Sequence, residues 1–102
     1  MRRERSIGPI WQIPKGEGRT FEVDGQRMAV FHTRAGEVYA IQAECPHRGG
    51  PLADGLTGGS TVICPLHDRA FDLRTGAGIG HDECVTPYPA RLSEDGTVLI
   101  EL

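Results

Sequence analysis

The sequence lacks the features of proteins that bind nucleic acids, span a membrane or carry a signal peptide for secretion. Its 102 residues carry 11 basic and 14 acidic side chains, a formal net charge of −3, so there is no basic excess to bind a phosphate backbone. No stretch approaches the roughly 20 apolar residues of a membrane span. The basic N-terminus lacks the roughly 7–15 apolar residues of a signal peptide, because Gly8, Pro9 and Gln12 interrupt it. We therefore expect a cytoplasmic protein with neither nucleic-acid nor membrane partners.

Cysteine is also scarce. The chain has 3 cysteines, an odd number that cannot all pair within one chain. In a reducing compartment, cysteine is more often a ligand, a nucleophile or a buried filler than half of a disulfide. The length allows one small domain, residues 1–102, rather than two. Its core would be modest, and a bound metal or cofactor would help to stabilise it.

Helical periodicity is nearly absent, since no window sustains apolar residues at i, i+3, i+4 and i+7 over three turns. Short strand-like segments separated by glycine-containing turns dominate instead. Asp24-Gly25, a strong two-residue hairpin signal, separates the first two. The segments are residues 20–23, 26–33, 38–42, 60–63, 70–73, 88–92 and 97–102, and the glycine-rich residues 76–80 are expected to form a loop. About seven or eight short strands at close spacing predict an all-β fold, an antiparallel sandwich or barrel.

Two loop-like segments, residues 45–55 and 64–68, interrupt this pattern. Each contains one cysteine and one histidine, and a proline that stiffens the backbone follows each cysteine. Such a set of thiolates and imidazoles suits a tetrahedral zinc ion or a two-iron cluster with mixed ligands. Common zinc fingers pair cysteine with cysteine and histidine with histidine along the chain, whereas here the two residue types alternate.

The stretches CPHRGGPL and CPLH, which begin at the two cysteines, closely resemble the cluster-binding boxes of the Rieske [2Fe–2S] family. The resemblance covers nearly the whole chain and is weakest in the 19 N-terminal residues. It implies one [2Fe–2S] cluster, with two cysteines on one iron and two histidines on the other. The implied ligands are Cys45, Cys64, His47 and His67. The resemblance also implies the family fold, in which antiparallel β-sheets carry the cluster at the tip of a small subdomain.

The same resemblance implies a one-electron carrier. Its partners would be other redox proteins, namely a reductase that donates the electron and a terminal reductase or oxygenase that accepts it. No catalysis is expected from this chain alone, because the sequence shows no substrate site. Charged residues beside the implied ligands, Arg48, Asp54 and Asp68, are expected to bias partner docking electrostatically.

Two subtypes of the family fit the sequence. Residues 71–76 (FDLRTG), 82–85 (DECV) and 88–91 (YPAR) resemble the small subunit of NAD(P)H-dependent nitrite reductase, which is the first hypothesis. The ferredoxin component of an aromatic-ring dioxygenase shares the cluster boxes and the Tyr-Pro strand start, and is the alternative. A structural zinc-binding interaction module is the alternative from another class.

Departures from the high-potential respiratory Rieske proteins predict a low reduction potential. Those proteins have one extra cysteine in each loop, and these two form a disulfide; the corresponding residues here are Gly50 and Leu66. They also place a serine and a tyrosine hydroxyl against the cluster and its ligand, where this chain has Arg69 and Phe71. Fewer hydrogen bonds to the cluster sulfurs lower the potential.

Other residues that could suggest chemistry are expected to be structural. His32 and His81 are interpreted as surface or hydrogen-bonded core residues. Cys84 is interpreted as a small side chain packed in a loop. Residues 2–5 are expected to form a frayed terminus, with Trp11 as its packing anchor.

Overall fold

The chain forms antiparallel β-sheets. The computed structural model describes residues 4–46, 49–66 and 68–102, and within these ranges eleven strands form three sheets, which confirms the predicted all-β antiparallel fold. The strands are β1 (Glu4–Pro9), β2 (Glu17–Val23), β3 (Gln26–His32), β4 (Val38–Gln42), β5 (Leu56–Gly58), β6 (Thr61–Ile63), β7 (Ala70–Asp72), β8 (Gly78–Ile79), β9 (Pro87–Tyr88), β10 (Ala90–Leu92) and β11 (Thr97–Glu101). Single 3-10 turns cover Ile10–Gln12 and Leu52–Asp54. Across the described ranges, no helix is long and apolar enough to cross a membrane.

Two of the sheets enclose an apolar cluster that we call the base core. One sheet has the strand order β1-β11-β10 and the other has the order β2-β3-β4-β9. The base core consists of Ile13, Val23, Met28, Val30, Val38, Ala40, Val98 and Ile100. Because its members run from residue 13 to residue 100, it joins the two ends of the chain.

The third sheet, with the order β5-β6-β7-β8, contributes to a separate apolar cluster that we call the loop core. The loop core consists of Ala29, Phe31, Ile41, Cys45, Leu52, Ala53, Val62, Cys64, Phe71, Leu73 and Val85. Both cysteines of the predicted ligand set belong to it.

Strand β3 connects the two cores. Successive side chains of a strand point to opposite faces of its sheet. Accordingly, Met28 and Val30 lie in the base core, while Ala29 and Phe31 lie in the loop core. Burial on both faces explains why this strand is a continuous apolar run rather than an alternating one.

The β2–β3 hairpin forms at Asp24-Gly25, as the sequence predicts. Asp24 has φ 51° and Gly25 has φ 80°. Two consecutive residues with positive φ are typical of a type I′ turn, whose backbone twist matches that of the flanking strands. Val23 therefore pairs directly with Gln26.

The expectation that residues 2–5 are frayed is wrong for residues 4 and 5, which belong to strand β1. Residues 2 and 3 lie outside the described ranges. β1 pairs with β11, from the other end of the chain. The Arg91 guanidinium donates two hydrogen bonds to the Glu4 carboxylate, each 2.9 Å long. Arg5 donates to Asp24 at 2.9 Å. Exposed ion pairs contribute little stability, so the backbone hydrogen bonds with β11 are the main interaction that stabilises β1.

Three further differences concern short strands. β5 was not predicted, and β8 lies within residues 76–80, which were expected to form a loop. Residues 88–92 were expected to form one strand, but β9 pairs with β4 while β10 pairs with β11. The break falls at Pro89, which has no N–H to donate to a continuous ladder.

The packing anchor of the N-terminal segment is Ile13, not Trp11. Trp11 is 72% exposed, whereas Ile13 is completely buried in the base core. The expectation for Trp11 is therefore wrong, since the larger side chain points outward and the smaller one fills the core.

Gly18 in β2 faces the loop core at a point where a side chain does not fit. A Cβ atom there would lie 2.7 Å from the Phe31 ring and 3.1 Å from the Ala53 carbonyl oxygen. Gly18→Ala is therefore expected to lower the free energy of unfolding by about 1–3 kcal/mol, measured by urea denaturation. Gly58→Ala is the control, because a Cβ there has no neighbour within 4 Å. Equal urea midpoints for the two variants would contradict this packing.

Candidate metal centre

The first cysteine loop is closed by two backbone hydrogen bonds. The Cys45 N–H donates to the Gly50 carbonyl at 2.8 Å, and the Cys45 carbonyl accepts from the Gly49 N–H at 2.8 Å. Gly49 has φ 69°, a left-handed conformation that glycine adopts without steric cost. These two hydrogen bonds therefore hold Gly49 and Gly50 against the backbone of Cys45.

The second cysteine loop, between β6 and β7, repeats this pattern. The Cys64 N–H donates to the Arg69 carbonyl at 2.7 Å, and the Cys64 carbonyl accepts from the Asp68 N–H at 3.2 Å. Asp68 is four residues after its cysteine, as Gly49 is, and it also has a positive φ of 55°. Aspartate tolerates this conformation better than most residues. The two loops thus hold their cysteines in equivalent backbone settings.

Gln42, at the end of β4, holds the entrance of the first loop. Its side-chain N–H donates to the Glu44 carbonyl at 2.8 Å, and its Oε1 accepts from the Thr86 N–H at 2.8 Å. At the exit of the loop, the Leu52 N–H donates to the Ala43 carbonyl at 2.9 Å. The backbone on both sides of Cys45 is therefore anchored to the strands.

Cys45 and Cys64 are both buried in the loop core, and Gly50 leaves space beside the Cys64 thiol. A Cβ at Gly50 would lie 2.9 Å from the Cys64 Sγ and 3.0 Å from the Leu66 Cγ. Gly50 and Leu66 therefore lie side by side, as expected for the two positions that carry the respiratory disulfide. A pair of buried thiols in matched loops, with a glycine rather than a larger residue at position 50 beside Cys64, fits a metal that takes soft ligands.

The histidines of the predicted ligand set, His47 and His67, lie outside the described residues, as does Arg48. Over residues 4–46, 49–66 and 68–102, no three histidine, cysteine, aspartate or glutamate side chains are grouped to hold a metal ion. The histidine half of the site therefore depends on the sequence pattern.

The other two histidines bond to the main chain. His32 is buried, with its Nδ1 2.7 Å from the Ile13 carbonyl oxygen. The His81 Nε2 lies 2.9 Å from the Ala70 carbonyl oxygen. Both are hydrogen-bonded structural residues, which confirms their interpretation.

Cys84 is exposed, so its interpretation as a packed side chain is wrong. It lies between β8 and β9 in residues 80–86, where only Val85 is buried among the residues of this connection. Cys84 therefore belongs to neither core.

The surface around the two loops combines apolar and acidic side chains. Each loop exposes the proline that follows its cysteine, Pro46 or Pro65, and Leu66 is 54% exposed. Asp54 and Asp68 are exposed as well. Such a mixed surface suits transient contact with another protein.

The proteins similar to this chain include a dioxygenase ferredoxin subunit and nitrite reductase small subunits. The 3-phenylpropionate/cinnamic acid dioxygenase ferredoxin subunit of Escherichia coli strain K12 is 32% identical over 97 residues, covering 92% of this chain and 89% of that protein. The E. coli protein NirD, a nitrite reductase small subunit, is 25% identical with a TM-score of 0.88, covering 100% of this chain and 98% of that chain. A Mycobacterium tuberculosis protein described as an NADH-dependent nitrite reductase small subunit is 23% identical with a TM-score of 0.93, covering 100% and 96% of the two chains.

A family model, the Rieske [2Fe–2S] domain, matches residues 5–92. The match includes both cysteine loops and strands of all three sheets. It favours the two-iron cluster over the zinc site, which the ligand types alone left open. The chain therefore belongs to the Rieske [2Fe–2S] family and is an electron-carrier domain with one [2Fe–2S] cluster.

Proposed function

We propose that four residues hold the cluster, Cys45 and Cys64 on one iron and His47 and His67 on the other, within a single domain of residues 1–102. The observation that carries this proposal is the shared setting of the cysteines, since both begin loops with the same hydrogen-bond closure and both lie in the loop core. The histidines follow their cysteines by two and three residues. When bound, the cluster accepts and releases one electron.

We infer a reduction potential near the low end of the Rieske range of about −150 to +300 mV. Phe71 is completely buried in the loop core and has no hydroxyl to donate. Leu66, beside the Cys64 thiol, is aliphatic. Fewer donors to the cluster sulfurs make its reduced form less favourable. Voltammetry of the purified protein tests this inference, and a potential well above zero would contradict it.

We propose that the electron acceptor is the catalytic subunit of an NAD(P)H-dependent nitrite reductase, in the cytoplasm. The support is the resemblance of residues 71–76, 82–85 and 88–91 to the small subunit of that enzyme, together with the likeness to NirD over the full chain. These segments overlap β7, the connection that carries Cys84, the end of β9 and the start of β10.

A second acceptor, the oxygenase of an aromatic-ring dioxygenase, is favoured by sequence identity. The E. coli dioxygenase ferredoxin is 32% identical to this chain, against 25% for NirD. A ferredoxin of carbazole 1,9a-dioxygenase has been solved in complex with its oxygenase. The same kind of contact at the two loops would serve either acceptor.

Purification of the tagged chain from its own cells distinguishes these acceptors. If the first proposal is right, the retained fraction reduces nitrite with NADH or NADPH. Removing the chain from that fraction should abolish the activity, and adding the chain back should restore it. A retained fraction without nitrite reduction would contradict the proposal. The second acceptor would gain support if the chain instead restored aromatic dihydroxylation to an oxygenase and its reductase.

Partner docking is expected to depend on the exposed acids beside the loops. Asp54 and Asp68 are both exposed, and charges at the rim of an interface act mainly on the association rate. Electron transfer to the partner should therefore slow as ionic strength rises. Asp68→Asn, which tolerates the left-handed backbone, and Asp54→Asn should each flatten this salt dependence. A rate that is already independent of salt in the wild-type protein would contradict this mode of docking.

A further inference from the structure

His81 lies in the connection that follows strand β8 and contacts strand β7, which follows the second cysteine loop. β8 pairs with β7, the strand that begins directly after that loop. The chain then turns back closely, because a Cβ at Gly78 would lie 2.1 Å from the Glu83 carbonyl oxygen and 2.6 Å from the His81 Cε1. The lack of a side chain at Gly78 therefore makes room for the imidazole ring.

Both ring nitrogens of His81 have defined partners, from which its protonation is assigned. The Glu83 N–H donates to Nδ1 at 3.2 Å, so Nδ1 carries no proton. Nε2 lies 2.9 Å from the Ala70 carbonyl oxygen, which can only accept, so Nε2–H is the donor. A neutral ring thus ties the backbone at residue 83 to the backbone at residue 70.

The hydrogen bond from His81 to Ala70 is next to a second hydrogen bond that holds Cys64. Ala70 directly follows Arg69, whose carbonyl accepts the hydrogen bond from the Cys64 N–H at 2.7 Å. The His81 ring also meets the Phe71 ring edge to face, with centroids 5.0 Å apart and an interplanar angle of 85°. Phe71 is completely buried and shares the loop core with Cys64. The imidazole therefore contacts both residues that follow the closure of the second loop.

An ion pair provides a weaker connection between the same segments. The Arg69 guanidinium lies 3.5 Å from the Glu83 carboxylate, and both side chains are about one-third exposed. Partly exposed pairs contribute little free energy. The hydrogen bond and the ring contact of His81 are the more rigid connection.

We propose that His81 is a positioning residue, which fixes the backbone of the second cysteine loop and thereby the direction of the Cys64 thiolate. The inference rests on the proposed function of Cys64 as a cluster ligand. His81 acts through Ala70 and Phe71, and groups outside the ligand set commonly determine how tightly a metal is held and how easily it is reduced.

His81→Leu tests the proposal, because leucine fills part of the ring's volume and makes neither hydrogen bond. The holoprotein is purified anaerobically, and three quantities are measured: the rate of cluster loss to a chelator, the EPR g values of the reduced protein and the reduction potential. We expect cluster loss to become about tenfold faster, with altered g values and a shifted potential. Wild-type results for all three quantities would overturn the proposal.

Two conservative variants separate the hydrogen bonds and remain informative if His81→Leu fails to fold. His81→Gln keeps an N–H donor near the Nε2 position, and it is expected to restore most of the wild-type rate of cluster loss. His81→Asn keeps only a group near Nδ1, and it is expected to lose the cluster faster than the glutamine variant. Equal, wild-type behaviour of both variants would overturn the role of the Ala70 bond.

His32→Leu is the matched control for general destabilisation. His32 is a buried histidine with a main-chain hydrogen bond, and its partner, Ile13, belongs to the base core. This variant should lower the urea midpoint but keep the wild-type g values and potential. Changes as large as those in His81→Leu would overturn a specific effect of His81.

Cys64→Ser distinguishes failure of this inference from failure of the proposed function. A serine variant that keeps its cluster with the wild-type g values and potential would show that Cys64 is not a ligand. If Cys64→Ser loses the cluster while every His81 variant keeps wild-type g values, potential and rate of loss, only the inference for His81 fails.

Discussion

Cys64→Ser is expected to remove the [2Fe–2S] cluster. Serine offers a hard oxygen in place of the soft thiolate by which iron–sulfur clusters are held, so it should bind the iron more weakly. Metal binding should weaken by more than about tenfold, because even residues beyond the ligands commonly change metal affinity that much, and the iron bound per chain should fall with it. Iron determination and visible absorption of the anaerobically purified protein measure the effect.

The third cysteine provides the control for this substitution. Cys84 is exposed and outside both loops, so Cys84→Ser should keep the full iron content and the wild-type spectrum. Cys45→Ser should behave like Cys64→Ser. Wild-type iron content and an unchanged spectrum in either loop variant, or loss of the cluster in Cys84→Ser, would contradict the assignment of the cysteines.

Gly50→Ala is expected to have the second largest effect on cluster binding. The added Cβ would lie 2.9 Å from the Cys64 Sγ, a distance at which one of the two atoms must move. Leu66, the other close neighbour, is half exposed and can turn outward, but the buried thiol is confined by the loop core. We expect about 1–3 kcal/mol of strain, a lower iron content and a reduction potential that differs from the wild-type value.

Gly58→Ala is the matched control for Gly50→Ala. Neither glycine has a positive φ, and a Cβ at Gly58 meets no atom within 4 Å. The two variants therefore differ in contacts and not in backbone strain. Wild-type iron content and potential in Gly50→Ala would show that no close contact with the thiol exists.

The parts of the fold that could be predicted from the sequence are those with local causes. The β2–β3 hairpin follows from the two turn residues Asp24 and Gly25, both of which have positive φ. β4 has the predicted bounds, Val38–Gln42, because a turn and a cysteine loop delimit it. These elements depend on neighbouring residues, so a sequence pattern is sufficient to predict them.

The strands that were missed depend on distant partners. β1 is polar along much of its length and forms because it pairs with β11, near the other end of the chain. β8 has only two residues, and it forms where β7 offers it a partner. Trp11 is exposed because Ile13 takes the place in the base core. Each of these outcomes follows from contacts that no local pattern records.

The candidate site also has features that the sequence predicts and features that depend on distant contacts. Residue types and spacing indicated the cysteines and the loops that begin with them, and the comparison with respiratory relatives indicated that Gly50 and Leu66 would be neighbours. The close fit of Gly50 against the Cys64 thiol, and the contact of His81 with Ala70 and Phe71, could not be predicted. Both depend on contacts between segments that are separated along the chain.

Iron and zinc analysis of the anaerobically purified chain, with EPR spectra recorded before and after reduction by dithionite, distinguishes a Rieske cluster from a zinc site. We expect two irons per chain, as the cluster requires. We also expect a signal that appears only on reduction, with the low average g value of mixed histidine and cysteine ligation. A colourless protein with one equivalent of zinc and no reduced-state signal would contradict the presence of the cluster.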